Sequence, residues 1–185
     1  MSCFVVLLRG INVGGRNRLP MADLRSALTS DGLDEVRTYI QSVNIVLDTP
    51  ARSADVVGAR VRAVIAREFG LDVPAIALSS STLTEIVAGN PYPDETDHRR
   101  LHAIVLPHAP DASTLAWLVE RQAAAAATGS ADRVTVIGRT AYLHTPGGFG
   151  TSALAASLTS GRSPVADGTA RNWATMTTLL EMCTA

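Results

Sequence analysis

The sequence predicts an α+β fold in which a βαββα pattern occurs twice. Short apolar runs, typical of buried strands, alternate with helical segments, and each half also contains two strands joined by a tight turn. A doubly wound fold needs strands and helices that alternate singly, so the hairpins argue against it. Hydrophobic residues make up 46% of the 185 residues and charged residues 18%, which supports a sizeable core and argues against global disorder.

The first half predicts elements in the order βαββαβ. Residues 4–8 are a continuous apolar run and predict a buried strand. Pro20 suits the first turn of a helix that Gly32 ends, and Ser53 begins a second helix that Gly70 ends. A capping-box pattern at residues 82–85 predicts a further short helix. The remaining predicted strands cover residues 36–41, 44–48 and 75–79.

The second half repeats the pattern after a linker over residues 89–97, which carries two prolines and three acids. We predict strands over 101–106, 133–137 and 141–144, and helices over 111–127, 152–158 and 170–182. The expected domains are therefore an N-terminal subdomain, 1–88, and a C-terminal subdomain, 98–185. Each is a ferredoxin-like, or α/β plait, unit, and we expect the two to pack together. No residue identity links the halves, so the repeat is one of pattern only.

Composition excludes several classes of function. The net charge is −1 and aromatic residues make up 4%, which argues against nucleic-acid binding. All 16 cationic side chains are arginine, so lysine-dependent chemistry, such as a Schiff base or a Walker-type phosphate site, is excluded. Cys3 and Cys183 lie at opposite ends without CxxC spacing, so we expect neither a disulfide framework nor a zinc site. The histidine spacing predicts no metal, and no cofactor is expected.

The sequence predicts a cytoplasmic protein, because it shows neither a membrane-spanning run nor a signal peptide. No apolar run reaches about 18 residues, the length expected of a transmembrane helix. The N-terminus lacks the basic region and small-residue cleavage site of a signal peptide, and its apolar run is typical of a first strand. The oligomeric state is left open.

The main candidate site is the glycine- and arginine-rich segment over residues 9–20, which joins the first strand to the first helix. Such a turn offers free backbone N–H groups, and the helix dipole favours an anion there. Asp23 is the first acid of the chain, so no local carboxylate neutralises the arginines. The glycine spacing matches neither a dinucleotide fingerprint nor a P-loop, and the alternative is a structural loop with solvated arginines. The candidate ligand residues are Arg9, Gly10, Asn12, Gly14, Gly15, Arg16, Asn17 and Arg18.

Three further segments carry candidate ligand residues. The hairpin between the second and third strands carries Tyr39, Gln41, Ser42 and Asn44, which could orient a ligand if the hairpin faces the first loop. A second glycine-rich turn ends at Ser152, a helix cap or a ligand.

Arg171 and Asn172 follow Thr169, a plausible helix cap. This placement puts a cation in the first helical turn, where it opposes the dipole unless it meets an anion or a buried carboxylate. The favoured interpretation is structural: Arg171 pairs with an aspartate and holds the C-terminal helix. Among the four histidines, His144 best fits an acid/base role, because it ends a strand near the second glycine-rich turn.

These motifs resemble those of the bacterial family called domain of unknown function 1697. The resemblance rests on residues 8–20, 37–42 with Asn44, 90–92, the turn before Ser152, and 169–173, and so runs nearly end to end. It implies a small cytoplasmic protein of two plait-like subdomains, with no established activity. The chain has Val43 where the family has glycine, and Arg16 and Ala153 where the family often has lysine. Ala153 removes a charge from the second glycine-rich turn.

The sequence therefore favours a binding module for a phosphorylated or other anionic small ligand, held in a cleft between the first loop and Arg171. The alternatives are a purely architectural role for the motifs, an enzyme acting on a nucleotide or sugar phosphate, and a nucleic-acid-binding protein. In an enzyme, His144 or Tyr39 would transfer protons and the arginines would stabilise developing charge. The module and the enzyme both require Arg9, Arg16 and Arg171 to converge.

Overall fold

The computed structural model describes residues 1–12, 18–40 and 44–184, and the chain divides into two compact units. The first unit comprises Met1–Glu85 together with the residues from Thr178 onward, and the second comprises Ile86–Thr177. The segment predicted as a linker thus lies within the second unit.

Each unit contains one four-stranded antiparallel sheet flanked by helices. The elements up to residue 88 are β1 (Ser2–Leu8), α1 (Met21–Ser30), β2 (Asp34–Tyr39), β3 (Asn44–Thr49), α2 (Ala54–Phe69), β4 (Ala75–Ser79) and α3 (Ser80–Ala88). The later elements are β5 (Leu101–Val105), α4 (Ala112–Ala127), β6 (Arg133–Ile137), β7 (Thr140–His144), α5 (Ala153–Thr159), β8 (Thr169–Asn172) and α6 (Trp173–Thr184). A short 3₁₀ helix, Phe149–Thr151, precedes α5.

The two sheets have the same topology, which confirms the predicted α+β class and its ferredoxin-like units. The strand order is β2-β3-β1-β4 in the first sheet and β6-β7-β5-β8 in the second. Taken in chain order within each unit, both sheets read 2-3-1-4, so the second unit is also βαββαβ. The prediction for the second half lacked its last strand, β8.

The core of the first unit lies between its sheet and the helices α1 and α2. Phe4, Val6 and Leu8 alternate along β1 and join a cluster that includes buried leucines and valines of both helices. Val5 and Leu7, on the opposite face, are also fully buried. A strand buried on both faces carries no polar alternation, which explains the continuous apolar run over residues 4–8.

The predicted helix ends at Gly32 and Gly70 are confirmed. Gly32 has φ +82°, and beyond it the N–H of Leu33 donates to the carbonyl of Leu28 at 3.1 Å. Gly70 has φ +66°, and its N–H donates to the carbonyl of Ala66 at 3.0 Å. Glycine adopts these left-handed conformations without the steric cost that other residues incur, so both helices stop where the sequence indicates.

Two predicted helix starts are wrong. Residues 169–172 form β8, whose Arg171 pairs with Ala103 of β5, and α6 begins only at Trp173. Asn172 caps α6, because its Oδ1 accepts from the N–H of Thr175 at 2.8 Å. The argument that Arg171 opposes a helix dipole therefore fails. Similarly, α3 begins at Ser80, since the hydroxyl of Ser79 accepts from the N–H of Thr82 at 3.1 Å.

The two cysteines form a disulfide, contrary to the expectation from their spacing. Cys3 in β1 and Cys183 in α6 have Cα atoms 5.7 Å apart. Their separation of 180 residues carries no local signal, because the fold alone brings the two ends of the chain together. None of the helices that the structure describes combines the length and apolar character needed to cross a membrane.

Candidate functional site

One edge of the first sheet brings together two of the predicted ligand segments. Leu7 of β1 pairs with Asn44 of β3, which in turn pairs with Tyr39 of β2. The glycine- and arginine-rich loop after β1 and the turn between β2 and β3 therefore leave the sheet at the same edge. The sequence hypothesis requires the hairpin that carries Tyr39 and Asn44 to lie near the loop after β1, and the strand register brings the two segments to one edge of the sheet.

Asn12 closes the neck of the glycine- and arginine-rich loop, which we define as the point where Asn12 and Leu19 are joined by hydrogen bonds. Its Oδ1 accepts from the N–H of Leu19 at 2.9 Å, and its Nδ2 donates to the carbonyl of Leu19 at 3.2 Å. Asn12 has φ +55°, a left-handed conformation that asparagine adopts more readily than most residues. Ile11 and Leu19 are 1% and 2% exposed, so buried side chains anchor both sides of the neck.

Three more of the predicted ligand residues lie in the described part of this segment. Arg9 donates its backbone N–H to the carbonyl of Pro74 at 3.1 Å, which fixes the start of the loop beside β4. Gly10 has φ +73°, and Arg18 is exposed. The predicted residues that lie outside the described part of the chain are Gly14, Gly15, Arg16, Asn17, Gln41 and Ser42.

Asn44 closes the neighbouring hairpin in the same manner. Its side chain is fully buried, and its Nδ2 donates to the carbonyl of Tyr39 at 3.0 Å. Ile40 follows with φ +50° and is half exposed. A β-branched residue in this conformation is strained, and such strain concentrates at turns and functional sites.

Arg37 is a cation of this edge that the candidate residues omitted. Val36 packs on the core cluster and Thr38 accepts from Arg25 of α1 at 2.8 Å, so these two side chains face the helices. By alternation, Arg37 and Tyr39 face the other side of the sheet, as does Asn44. The Nε atom of Arg37 is buried without a hydrogen-bond partner in the part of the chain that the structure describes. The sequence signal that could have identified Arg37 is its position two residues before Tyr39, because residues two apart in a strand lie on the same face.

Ser152, Arg171 and Asn172 belong to the second unit, and Ser152 and Asn172 cap helices there. Ser152 caps α5 by accepting from the N–H of Ala155 at 2.8 Å, and its hydroxyl donates to Oδ2 of Asp132 at 2.6 Å. Asn172 is the cap of α6. Because Arg16 is outside the described residues, the convergence of Arg9, Arg16 and Arg171 stays a prediction.

Arg171 is a buried cation of β8. Its side chain is 8% exposed, and its Nη1 donates to the carbonyl of Ala170 at 2.8 Å. Burial lowers the pKa of Arg171 to about 10, so the guanidinium remains charged at neutral pH.

His144 lies in a polar cluster with residues of the segment predicted as a linker. Its Nε2 is 2.8 Å from Oε2 of Glu95, and its ring centroid is 5.1 Å from that of Tyr92. The hydrogen bond from His144 holds the pKa of Glu95 below its ordinary value. Desolvation raises the pKa of Tyr92, whose hydroxyl lies 2.9 Å from that of Thr135. No sequence spacing indicates this pairing, since the partners are 49 residues apart.

The described residues also bear on metal and acid/base chemistry. Among them, no three His, Cys, Asp or Glu side chains come together in a group that could hold a metal ion. His102 stacks on Phe149 with ring centroids 4.0 Å apart, and burial lowers its pKa to about 4. His102 is therefore neutral near pH 7, and its role is packing.

Comparison with known proteins gives a family and a fold. No curated protein matches the chain. Among solved structures, the chain is similar to the conserved bacterial protein SP0830 from Streptococcus pneumoniae, with a TM-score of 0.74 and 22% identity over 98% of each chain. At that identity, the likeness supports the fold alone. Residues 1–142 match the family described as protein of unknown function DUF1697, and since this match spans most of the 185 residues, the chain belongs to that family.

Proposed function

We propose that the protein is a binding module for a phosphorylated or other anionic small ligand, which binds at the edge of the first sheet formed by the ends of β1 and β2 and the start of β3. The observation that carries the proposal is the pair of asparagine-closed necks at this edge. Asn12 closes the loop after β1, and Asn44 closes the turn between β2 and β3. Loops fixed at their bases lose less conformational entropy when a ligand binds.

The charges around these necks favour an anion. Arg9 and Arg18 flank the loop, and Arg37 projects from β2 two residues before the hairpin. The chain has no acid before Asp23. Guanidinium groups bind carboxylates and phosphates in a bidentate manner, and glycine-rich turns add backbone N–H donors.

A small ligand fits the chain better than a nucleic acid. Binding a long polyanion depends on neutralising many phosphates, whereas this chain has a net charge of −1. Aromatic side chains, on which bases stack, make up 4% of the residues.

A thermal-shift experiment at low salt tests the proposal. The probes are ATP, inorganic phosphate, glucose 6-phosphate, polyphosphate and a short single-stranded oligonucleotide. A probe at 100 times its Kd should stabilise the protein by about 2.7 kcal/mol, a shift in Tm of several degrees. We expect Arg16→Ala and Arg18→Ala to abolish the shift. Arg52→Ala, which removes an exposed arginine elsewhere in the first unit, should retain it.

Three results would overturn the proposal. If no probe changes the Tm of the wild-type protein, and the substitution Arg16→Ala lowers the Tm in the absence of any probe, the loop is architectural. A shift that persists in both loop variants would place the anion elsewhere. A response confined to the oligonucleotide would favour a nucleic-acid-binding protein.

A further inference from the structure

We propose that the second unit contains a separate small-molecule site, which binds a zwitterion bearing an ammonium and a carboxylate group, such as a free amino acid. The site is a cleft of about 460 Å³ between the segment from Pro91 to Glu95 and the edge where β6 begins and β7 ends. That volume lies in the ordinary range for small-ligand pockets. The proposed anion site uses none of its residues.

The wall of the cleft is held in place by its own hydrogen bonds. The N–H of Tyr92 donates to Oδ1 of Asn90 at 2.9 Å, and the N–H of Glu95 donates to the carbonyl of Tyr92 at 3.2 Å. The hydroxyls of Tyr92 and Thr135 are 2.9 Å apart, which fastens the segment to β6. Glu95 also accepts from the N–H of Asp97 at 2.8 Å. The cleft is therefore formed before any ligand binds, which lowers the entropic cost of binding.

Glu95 sets the hydrogen-bonding role of His144. Because Glu95 is ionised at neutral pH, its Oε2 accepts a hydrogen from Nε2 of His144 at 2.8 Å. The other ring nitrogen, Nδ1, has no hydrogen-bond partner within the described ranges of the chain. Nδ1 is therefore available to a polar group of the ligand.

The mouth of the cleft carries one exposed charge of each sign. Arg133 and Asp94 both line the cleft and are exposed, and neither makes an ion pair with any other described residue. The guanidinium of Arg133 matches a ligand carboxylate, and the carboxylate of Asp94 matches a ligand ammonium. Tyr92 lies between two prolines on the wall and offers an apolar surface to the rest of the ligand.

Two carboxylates in the cleft disfavour a phosphate. Asp94 and Glu95 both line it, and Arg133 is the one arginine among the lining residues. A phosphate dianion would bring further negative charge towards two carboxylates, and uncompensated like charges oppose binding. A zwitterion has no net charge and pairs each of its groups with an opposite one. This preference distinguishes the cleft from the arginine-rich edge of the first sheet.

Calorimetric titration of the full-length protein with each of the twenty amino acids tests the proposal. We expect at least one to bind, and both Arg133→Gln and Asp94→Asn to weaken that binding by 10-fold or more. Arg162→Gln removes an exposed arginine elsewhere in the second unit and should leave the affinity unchanged. His144→Gln should also weaken binding, and melting curves without ligand would show that each variant is folded.

Three results would overturn the inference: no amino acid binds, binding survives both Arg133→Gln and Asp94→Asn, or inorganic phosphate competes with the amino acid. The outcome is independent of the proposed anion site. Arg18→Ala should abolish the response to phosphorylated probes and leave amino-acid binding intact, so the failure of either proposal can be recognised separately.

Discussion

Asn12 and Asn44 each use a side-chain amide to join the two ends of a connection between elements of the first sheet and its helices. Asn12 bonds both backbone groups of Leu19, and Asn44 bonds the carbonyl of Tyr39. Asparagine suits this role because its short amide both donates and accepts, and because it tolerates a positive φ. Both residues were predicted as ligands, and their described hydrogen bonds give them a part in positioning the loops.

His102 predicts a specific dependence of stability on pH. Its pKa is lowered from 6.5 to about 4 by burial, so below pH 6.5 the unfolded chain binds a proton that the folded protein does not. The contribution of this ring to the free energy of unfolding is fully present above about pH 6.5. It should be lost as the pH falls towards 4, which lowers the free energy of unfolding by about 1–2 kcal/mol after allowance for partial exposure. Chemical denaturation across this range measures the slope.

The variant His102→Leu removes the titrating group and should flatten that slope relative to the wild-type protein. His108→Gln is the matched control, because His108 is exposed. Equal slopes for the wild-type protein and His102→Leu would show that this ring is not the cause.

At the scale of elements, β8 completes the second sheet and decides where Arg171 lies. The strand pairs with β5 through Thr169, Ala170, Arg171 and Asn172. It is short and lies at the edge of the sheet, directly before a helix, so its residues carry no distinct strand pattern. The pairing partner, more than 60 residues earlier in the chain, determines its conformation.

Gly168 permits β8 to approach the core, and its replacement tests this role. A Cβ atom at this position would lie 2.7 Å from Cδ2 of Leu106 and 2.8 Å from Cγ2 of Ile104. Both side chains are buried, so they have little room to move. We expect Gly168→Ala to lower the free energy of unfolding by about 1–3 kcal/mol, measured by urea denaturation.

Gly161→Ala is the control for this substitution. Gly161 lies in the same connection between α5 and β8, and a Cβ atom there meets no atom within 4 Å. Equal stabilities of the two variants would show that the close approach at Gly168 is unimportant.

At the scale of the whole molecule, the Cys3–Cys183 disulfide joins the two ends of the chain. Both cysteines belong to the first unit, and the described chain contains no free cysteine. Disulfides persist mainly in oxidising compartments, so this bond bears against the cytoplasmic prediction, which stays a prediction.

The disulfide should stabilise the protein, because it restricts the unfolded chain over a separation of 180 residues. We expect Cys3→Ser to lower the free energy of unfolding by about 2–5 kcal/mol under oxidising conditions. Denaturation with and without a thiol reductant measures this contribution. The reductant should destabilise the wild-type protein and leave Cys3→Ser unchanged, whereas an unchanged wild-type protein would contradict the prediction.

The sequence alone determined the features that depend on near neighbours. Apolar periodicity predicted the first strands and helices, β4 was predicted with its observed bounds, and Gly32 and Gly70 marked the helix ends. These signals are local because a helical turn or a left-handed glycine depends on residues within a few positions. Together they were enough to predict two ferredoxin-like units.

Only the tertiary structure decided the features that depend on distant partners. Glu95 and His144, the strand β8 and the pairing of Cys3 with Cys183 all join segments far apart in the chain. Spacing along a sequence carries no information about such contacts, because strand order and register bring the partners together. For the same reason, the sequence indicated arginines and asparagines at the candidate edge, whereas the register of β1, β2 and β3 placed their loops side by side.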